Sequence, residues 1–238
     1  MSFLQYVIII AGILLSGGIV LFVKIPPKLL KLLLAFSGAF LFAVCVMHLI
    51  PEIYSESDRM IGIFILAGFI LQVIIEFFSE GIEHGHIHLH KHNEKAFPLT
   101  MMIALCIHSF LEGMPLGTRF GGDEETQRSL FLGIVMHNIP ISIALCTLLL
   151  QSGLNRFSAL AWLFVFSLMT PLGSFTADWM GSSMNENLEG YFKYPMALVV
   201  GIFLHISTTI LFESSENHRF NLIKVLIILL GAAAGILI

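Results

Sequence analysis

Long apolar runs, each about as long as a bilayer is thick, recur through the whole of this 238-residue chain. A helix needs about 20 apolar residues to cross a hydrocarbon layer of roughly 30 Å, because each residue rises about 1.5 Å. Only 12% of the residues are charged and 57% are hydrophobic, which is typical of a membrane protein and not of a soluble domain. The polar breaks between the apolar runs are too short to form a separate soluble domain. We therefore predict an all-α, polytopic membrane protein in which residues 1–238 form a single transmembrane domain.

The same length criterion divides the chain into eight spans, whose ends are defined to within about 2 to 4 residues. No Lys or Arg precedes the first run, so we predict a retained span there and not a signal peptide. The eight predicted spans are 2–23, 27–50, 59–79, 97–117, 129–150, 157–180, 193–212 and 222–238.

The distribution of basic residues predicts the orientation of the spans, because Lys and Arg favour the inner side of a membrane. With the N-terminus outside, eight of the 12 basic residues lie at inner loops and four lie at outer loops. This split predicts that both termini are outside. The outer loops are then acidic, which would concentrate cations at the entrance, although acidic residues are also ordinary in loops.

Two polar clusters interrupt apolar spans, namely HSFLEG at 108–113 in span four and HNIP at 137–140 in span five. Ionisable side chains at bilayer depth are costly and usually functional. Helical rise places His108 about 16 Å from one surface and His137 about 12 Å from the other, so the two meet at similar depth. His108 and Glu112 are four residues apart and share one helix face. Glycines 113, 117 and 133 would let the helices pack closely around them.

Two imidazoles and a carboxylate form a ligand set that suits zinc, and also iron or manganese. The alternative is that each histidine only bonds a neighbouring helix, as polar groups in helix bundles often do. That alternative leaves Glu112 without compensation, since no Lys or Arg lies at its depth. We therefore predict a metal site formed by His108, Glu112 and His137.

Further ionisable residues stand near the span ends and are candidate entrance or exit ligands. On the outer side, His48 and Glu52 are four residues apart in HLIPE, and Asp178 is expected to face them. The alternative is that these residues are ordinary solvated groups. For His205, which lies within span seven, the alternative is that it only bonds a neighbouring helix. The inner candidates are Glu76 and Glu80 on span three and His205 and Glu213 on span seven.

The predicted inner loop at about 82–96 carries histidines at alternate positions. Imidazoles that are mostly neutral near pH 7 form a flexible multidentate ligand for a metal such as zinc. A solvated linker and an engineered tag are the alternatives, but a tag would sit at a terminus and run consecutively. We therefore predict metal binding by His84, His86, His88, His90 and His92.

With HLIPE closing span two, a histidine-rich loop after span three, HSFLEG in span four and HNIP in span five, the chain resembles the ZIP (Zrt/Irt-like) family of divalent metal transporters. The resemblance implies uptake of zinc, or of iron or manganese, into the cytoplasm through a site on spans four and five. It also implies that the other helices form two inverted groups, and it adds Ser109 and Asn138 to the metal-site residues.

The chain departs from the family pattern at two positions where many members have carboxylates, Ile141 and Thr170. With Ser109 and Asn138 beside them, a second metal would lack charged ligands. We therefore predict a site for one metal ion.

Transport by alternating access is our functional prediction, with helices rocking about the site. The alternatives are an intramembrane zinc-dependent hydrolase, disfavoured by the lack of HExxH and GxSxG, and a metal sensor or structural membrane protein. We expect no enzyme activity and no catalytic cofactor, because the metal is the transported substrate.

The predicted partners are divalent metal ions and the lipid bilayer, with a homodimer allowed. A net charge of −4 spread over many loops argues against nucleic acid. The predicted location is the plasma membrane, or the cytoplasmic membrane if the protein is bacterial.

Overall fold

The computed structural model of the chain describes residues 1–54, 58–79, 99–117, 124–183, 193–213 and 222–238. Over these residues the chain forms helices and no strands. In chain order the helices are α1 (Phe3–Leu21), α2 (Pro27–Ile53), α3 (Arg59–Ser79), α4 (Leu99–Leu116), α5 (Glu124–Gln151), α6 (Arg156–Ser167 continued by Met169–Ser183), α7 (Lys193–Glu213) and α8 (Leu222–Ile236).

Seven of these helices, α1 to α7, are long and apolar enough to cross a membrane. The last one, α8, is apolar but has only 15 residues. It would extend about 22 Å, which is shorter than the hydrocarbon layer of roughly 30 Å. The predicted all-α, polytopic membrane fold is confirmed, while the count of eight spans and the outside location of both termini stay predictions.

The start of α5 differs from the sequence prediction, which placed it at residue 129. The helix begins at Glu124, so Glu124 and Glu125, which the predicted boundary would leave in the preceding loop, lie in its first turn. The physical reason is that carboxylates stabilise the first turn of a helix, where backbone N–H groups are unpaired and the dipole is positive. A hydropathy criterion misses such a polar first turn.

The end of α2 also lies beyond its predicted position at residue 50. The helix continues to Ile53 through a π-helical turn, Cys45–Leu49. Pro51 has no N–H group, so the regular hydrogen-bond ladder cannot continue through it, and a wider turn just before it accommodates the missing bond. His48 lies in this π-helical turn.

Helix α5 lies in the centre of the bundle. It is buried on almost every side, whereas α4 exposes only one apolar face, formed by Leu99, Ile103 and Ile107. A helix that is apolar all round belongs in an interior, and an exposed apolar face in a membrane protein meets lipid. The face of α4 opposite to its lipid side carries His108 and Glu112.

The packing of the helices repeats. Helix α3 packs on α7 as α8 packs on α2, and α1 packs on α5 as α6 packs on α4. These pairs interchange when α1, α2 and α3 are exchanged, in that order, with α6, α7 and α8, and α4 with α5. The inverted orientation of the two three-helix sets, which the family resemblance implies, stays a prediction. One packing group therefore contains α1, α4, α5 and α6, the other contains α2, α3, α7 and α8, and they meet where α2 packs on α5 and α3 on α4.

A polar cluster ties α3 to α7 at their first turns. Asp58 accepts hydrogen bonds from the backbone N–H of Met60 at 2.9 Å and from the Tyr194 hydroxyl at 2.8 Å. Lys193 Nζ lies 3.2 Å from the Asp58 carboxylate. The hydrogen bonds from Met60 and Tyr194, together with Lys193, lower the pKa of the Asp58 carboxyl.

Candidate metal site

Three ionisable side chains converge in the centre of the bundle. His108 and Glu112 project from successive turns of α4, and His137 projects from α5. One ligand atom from each residue lies within 4.8 Å of the other two, and all three residues are 0% exposed. In the described part of the chain, this is the only such group of three His, Cys, Asp or Glu side chains.

The spacing of His108 and Glu112 on α4 would suit a single bound ion. His108 Nε2 lies 3.4 Å from Glu112 Oε2, which is longer than the usual N–H···O distance of about 2.9 Å. Two ligand atoms that are each about 2.0 to 2.1 Å from a tetrahedral zinc ion would lie about 3.4 Å apart. The His137 ring approaches from α5, with its centroid 6.1 Å from that of His108 and its plane at 88° to it.

Asn138, which the family resemblance adds to the metal-site residues, contacts Glu112. Its amide nitrogen Nδ2 donates to Glu112 Oε1 at 2.6 Å and to the Ile134 carbonyl at 3.0 Å. The other oxygen of Glu112, Oε2, is the one that lies beside His108. The two carboxylate oxygens therefore have different surroundings, and no sequence pattern indicated this.

Ser109, also predicted to be a ligand, bonds across to α6. The hydroxyl oxygens of Ser109 and Thr170 lie 2.8 Å apart, and both side chains are fully buried. Thr170 stands at a position where many members of the resembled family have a carboxylate. Its hydrogen-bond partner in this chain is Ser109. Two neutral hydroxyls pair with each other on this side of the site.

Between α3 and α7, Glu76 and His205 form a hydrogen-bonded pair that joins Glu76 Oε2 and His205 Nε2. Both side chains are largely buried, and Phe69 packs edge-on against the His205 ring at 4.8 Å. From the sequence, Glu76 and His205 are separate candidates on spans three and seven, with no pairing predicted between them. The available signal was that each is an ionisable residue in an apolar span and so requires a partner.

The outer candidates lie apart from the central group. His48 and Glu52 are half-buried near the end of α2, and Asp178 Oδ2 lies 4.0 Å from the Met1 amino nitrogen. Among the described residues these three side chains do not form a three-ligand group. The remaining candidates, Glu80, the five loop histidines and the side chain of Glu213, lie outside the described residues.

The two motifs that carry the site lie in the part of the chain that matches a known family. A family model described as ZIP zinc transporter matches residues 79–238, more than half of the chain. The chain belongs to the ZIP family. The matched segment contains α4 to α8, and with them HSFLEG and HNIP, so the resemblance predicted from these motifs is confirmed.

Individual relatives of this ZIP-family chain agree with that membership. Protein zntD of Dictyostelium discoideum is 30% identical over 64% of this chain and 24% of its own length. Zinc transporter zipt-7.1 of Caenorhabditis briggsae is 21% identical over 81% of this chain and 64% of its own length. Zinc transporter ZIP1 of Homo sapiens is 23% identical over 87% of this chain and 76% of its own length. The chain thus spans less than two thirds of the length of the first two relatives.

Proposed function

We propose that this ZIP-family protein transports a divalent metal ion, zinc in the first place, across the membrane into the cytoplasm. The observation that carries the proposal is the buried convergence of His108, Glu112 and His137, whose ligand atoms lie within 4.8 Å of one another. Two imidazoles and one carboxylate suit zinc, and iron or manganese as the next candidates. The names of the relatives, which are called zinc transporters, support zinc as the first choice.

Charge also supports binding of a cation at this site. Glu112 is fully buried, and spans four and five contain no Lys or Arg at its depth. A buried carboxylate without a positive partner is strongly unfavourable, so it requires a cation or a proton. A divalent ion on the three side chains supplies that charge, and because only one carboxylate is present we propose one ion.

Alternating access is the mechanism we propose for transport. The ligands lie on α4 and α5, which belong to one of the two packing groups, and the other group contacts them through α2 and α3. Rocking of one group against the other would open the buried site first to the outside and then to the inside. The driving force is the metal gradient or a coupled ion, because the sequence contains no P-loop.

Accessory roles follow from the positions of the other candidates. His48, Glu52 and Asp178 would receive the ion at the outer side, and the Glu76–His205 pair would lie on its exit route. The loop histidines at 84–92 would bind the ion on release. A location in the plasma membrane, or in the cytoplasmic membrane of a bacterium, and a homodimer complete the proposal.

The competing functions, a zinc-dependent intramembrane hydrolase and a metal sensor, would use the same three ligands. Purified protein in liposomes loaded with a zinc-sensitive dye separates them. We expect wild-type protein to admit external zinc and to leave lipid and peptide substrates uncleaved. Tight zinc binding without influx would favour a sensor, and metal-dependent cleavage without influx would favour a hydrolase.

A further inference from the structure

We propose that Asn138 is a specificity-determining residue that acts through Glu112 and restricts the site to one metal ion. The inference rests on the proposed role of Glu112 as a ligand. The observation behind it is that Asn138 Nδ2 lies 2.6 Å from Glu112 Oε1, whereas Oε2 faces His108 at 3.4 Å. An amide donor therefore occupies one carboxylate oxygen and leaves the other for the ion.

The orientation of the Asn138 amide is fixed by its two neighbours. Both atoms within hydrogen-bond distance of Nδ2, Glu112 Oε1 and the Ile134 carbonyl oxygen, are acceptors. An amide nitrogen carries two hydrogens, so both are used here. The reverse orientation would place the carbonyl oxygen of Asn138 against two oxygens, which is unfavourable. Asn138 is also only 2% exposed, so water does not compete for these bonds.

This hydrogen bond has two consequences for Glu112. It holds the carboxylate so that only Oε2 is directed to the ion, because groups that hydrogen-bond a metal ligand orient it. The hydrogen bond also pairs Oε1 with a neutral amide. If the Glu112 carboxylate bridged two metal ions, Oε1 is the oxygen that would bind the second ion. The site then carries a single negative charge, which compensates half of the charge of one divalent ion and cannot support two.

On the opposite side of the site, the described side chains Ser109 and Thr170 offer no replacement charge. Ser109 and Thr170 hydroxyls bond each other at 2.8 Å, and both are neutral. The oxygen Oδ1 of Asn138 is buried and has no hydrogen-bond partner within the described residues, so it is available to a water molecule carried with the ion. The restriction to one ion therefore depends on Asn138 remaining an amide.

Asn138→Asp tests this inference directly. The substitution places a carboxylate oxygen where Nδ2 now faces Glu112 Oε1 and the Ile134 carbonyl, and these three oxygens repel one another unless a cation lies between them. We expect the variant to bind two ions per chain. Asn138→Leu removes the donor at similar volume without adding charge, so we expect one ion bound about 10- to 100-fold more weakly, the usual loss when a partner of a metal ligand is removed.

The measurement is equilibrium dialysis of the full chain in detergent against zinc, with metal content determined by mass spectrometry. All variants carry Ala at the five loop histidines, so that the loop does not contribute to the count. Ser129→Ala, which changes another buried polar residue of α5, is the matched control and should bind like the reference protein. Visible spectra of the cobalt-substituted protein report the geometry around the ion, and we expect Asn138→Leu to change them.

Each outcome has a defined meaning. One ion in the reference protein and two in Asn138→Asp support the inference. One ion bound with unchanged affinity in Asn138→Asp, or unchanged affinity and cobalt spectrum in Asn138→Leu, overturns it. If Asn138→Asp fails to fold, the affinity and spectrum of Asn138→Leu decide. His108→Ala separates the two proposals, because binding that survives this change contradicts the metal site itself, whereas a failure confined to Asn138 leaves transport intact.

Discussion

Gly113 on α4 lies directly against the backbone carbonyl of Thr170 on α6, so closely that a Cβ atom at residue 113 would overlap with the carbonyl oxygen. A second glycine, Gly173 on α6, makes the reciprocal approach to the backbone of Phe110 on α4. This contact brings the Thr170 hydroxyl within 2.8 Å of Ser109, beside the candidate metal site. Small residues at such crossings let membrane helices approach closely.

Gly113→Ala is expected to destabilise the fold, because α4 and α6 must separate to admit the methyl group. Overpacking of a close contact typically costs about 1 to 3 kcal/mol. The control is Gly12→Ala on α1, where a Cβ atom would meet nothing within 4 Å and where Ala should stabilise the helix by roughly 0.5 to 1 kcal/mol. Thermal unfolding in detergent measures both, and equal unfolding temperatures for the two variants would contradict the assigned packing.

The Glu76–His205 pair is expected to depend on both partners. Removal of one partner, as in Glu76→Leu, deprives the other buried group of this hydrogen bond and should cost about 3 kcal/mol, whereas Glu76→Leu combined with His205→Leu should recover most of the loss. Unfolding measurements on the two single variants and the double variant give the coupling between the side chains. Additive losses would show that the pair is not coupled.

The same double variant tests whether the pair serves as an exit ligand. If it has only a structural role, the recovered double variant should transport zinc at the wild-type rate. If it serves on the exit route, the double variant should fold and bind zinc at His108, Glu112 and His137 but release it to the inside more slowly. A flux assay under single-turnover conditions distinguishes these results.

Acidification is expected to weaken the tie between α3 and α7 at Asp58. Hydrogen bonds from Met60 and Tyr194, together with Lys193, lower the pKa of this carboxyl in the folded protein. Its contribution to stability is therefore present above the unfolded pKa of about 3.9 and is lost as the pH falls through the lower folded value. Asp58→Asn should lower the unfolding temperature at pH 7 and reduce its dependence on pH below about 4. An acid dependence that is identical in both proteins would contradict this account.

The convergence of His108, Glu112 and His137 could be predicted from the sequence, because this convergence depends on two local quantities. The four-residue spacing of His108 and Glu112 fixes their common face, and the position within each span fixes the depth of His137. Both quantities follow from regular helix geometry. The overall class of fold followed in the same way from the lengths of the apolar runs.

The partners of the polar side chains could not be predicted, because they depend on how each helix is rotated about its own axis. The bond from Asn138 to Glu112, the Ser109–Thr170 pair and the Glu76–His205 pair all join different helices. Rotation is set by the packing of many apolar side chains, which a one-dimensional pattern does not specify. The start of α5 was missed for a different reason, since its first turn is polar.

The most direct test of the account is zinc influx into dye-loaded liposomes that contain wild-type protein, His108→Ala, Glu112→Ala or the control Ser129→Ala, each at the same protein content. We predict influx for the wild type and for Ser129→Ala, and a signal at the level of empty liposomes for His108→Ala and Glu112→Ala. Influx through either ligand variant at the wild-type rate would contradict transport through the site formed by His108, Glu112 and His137.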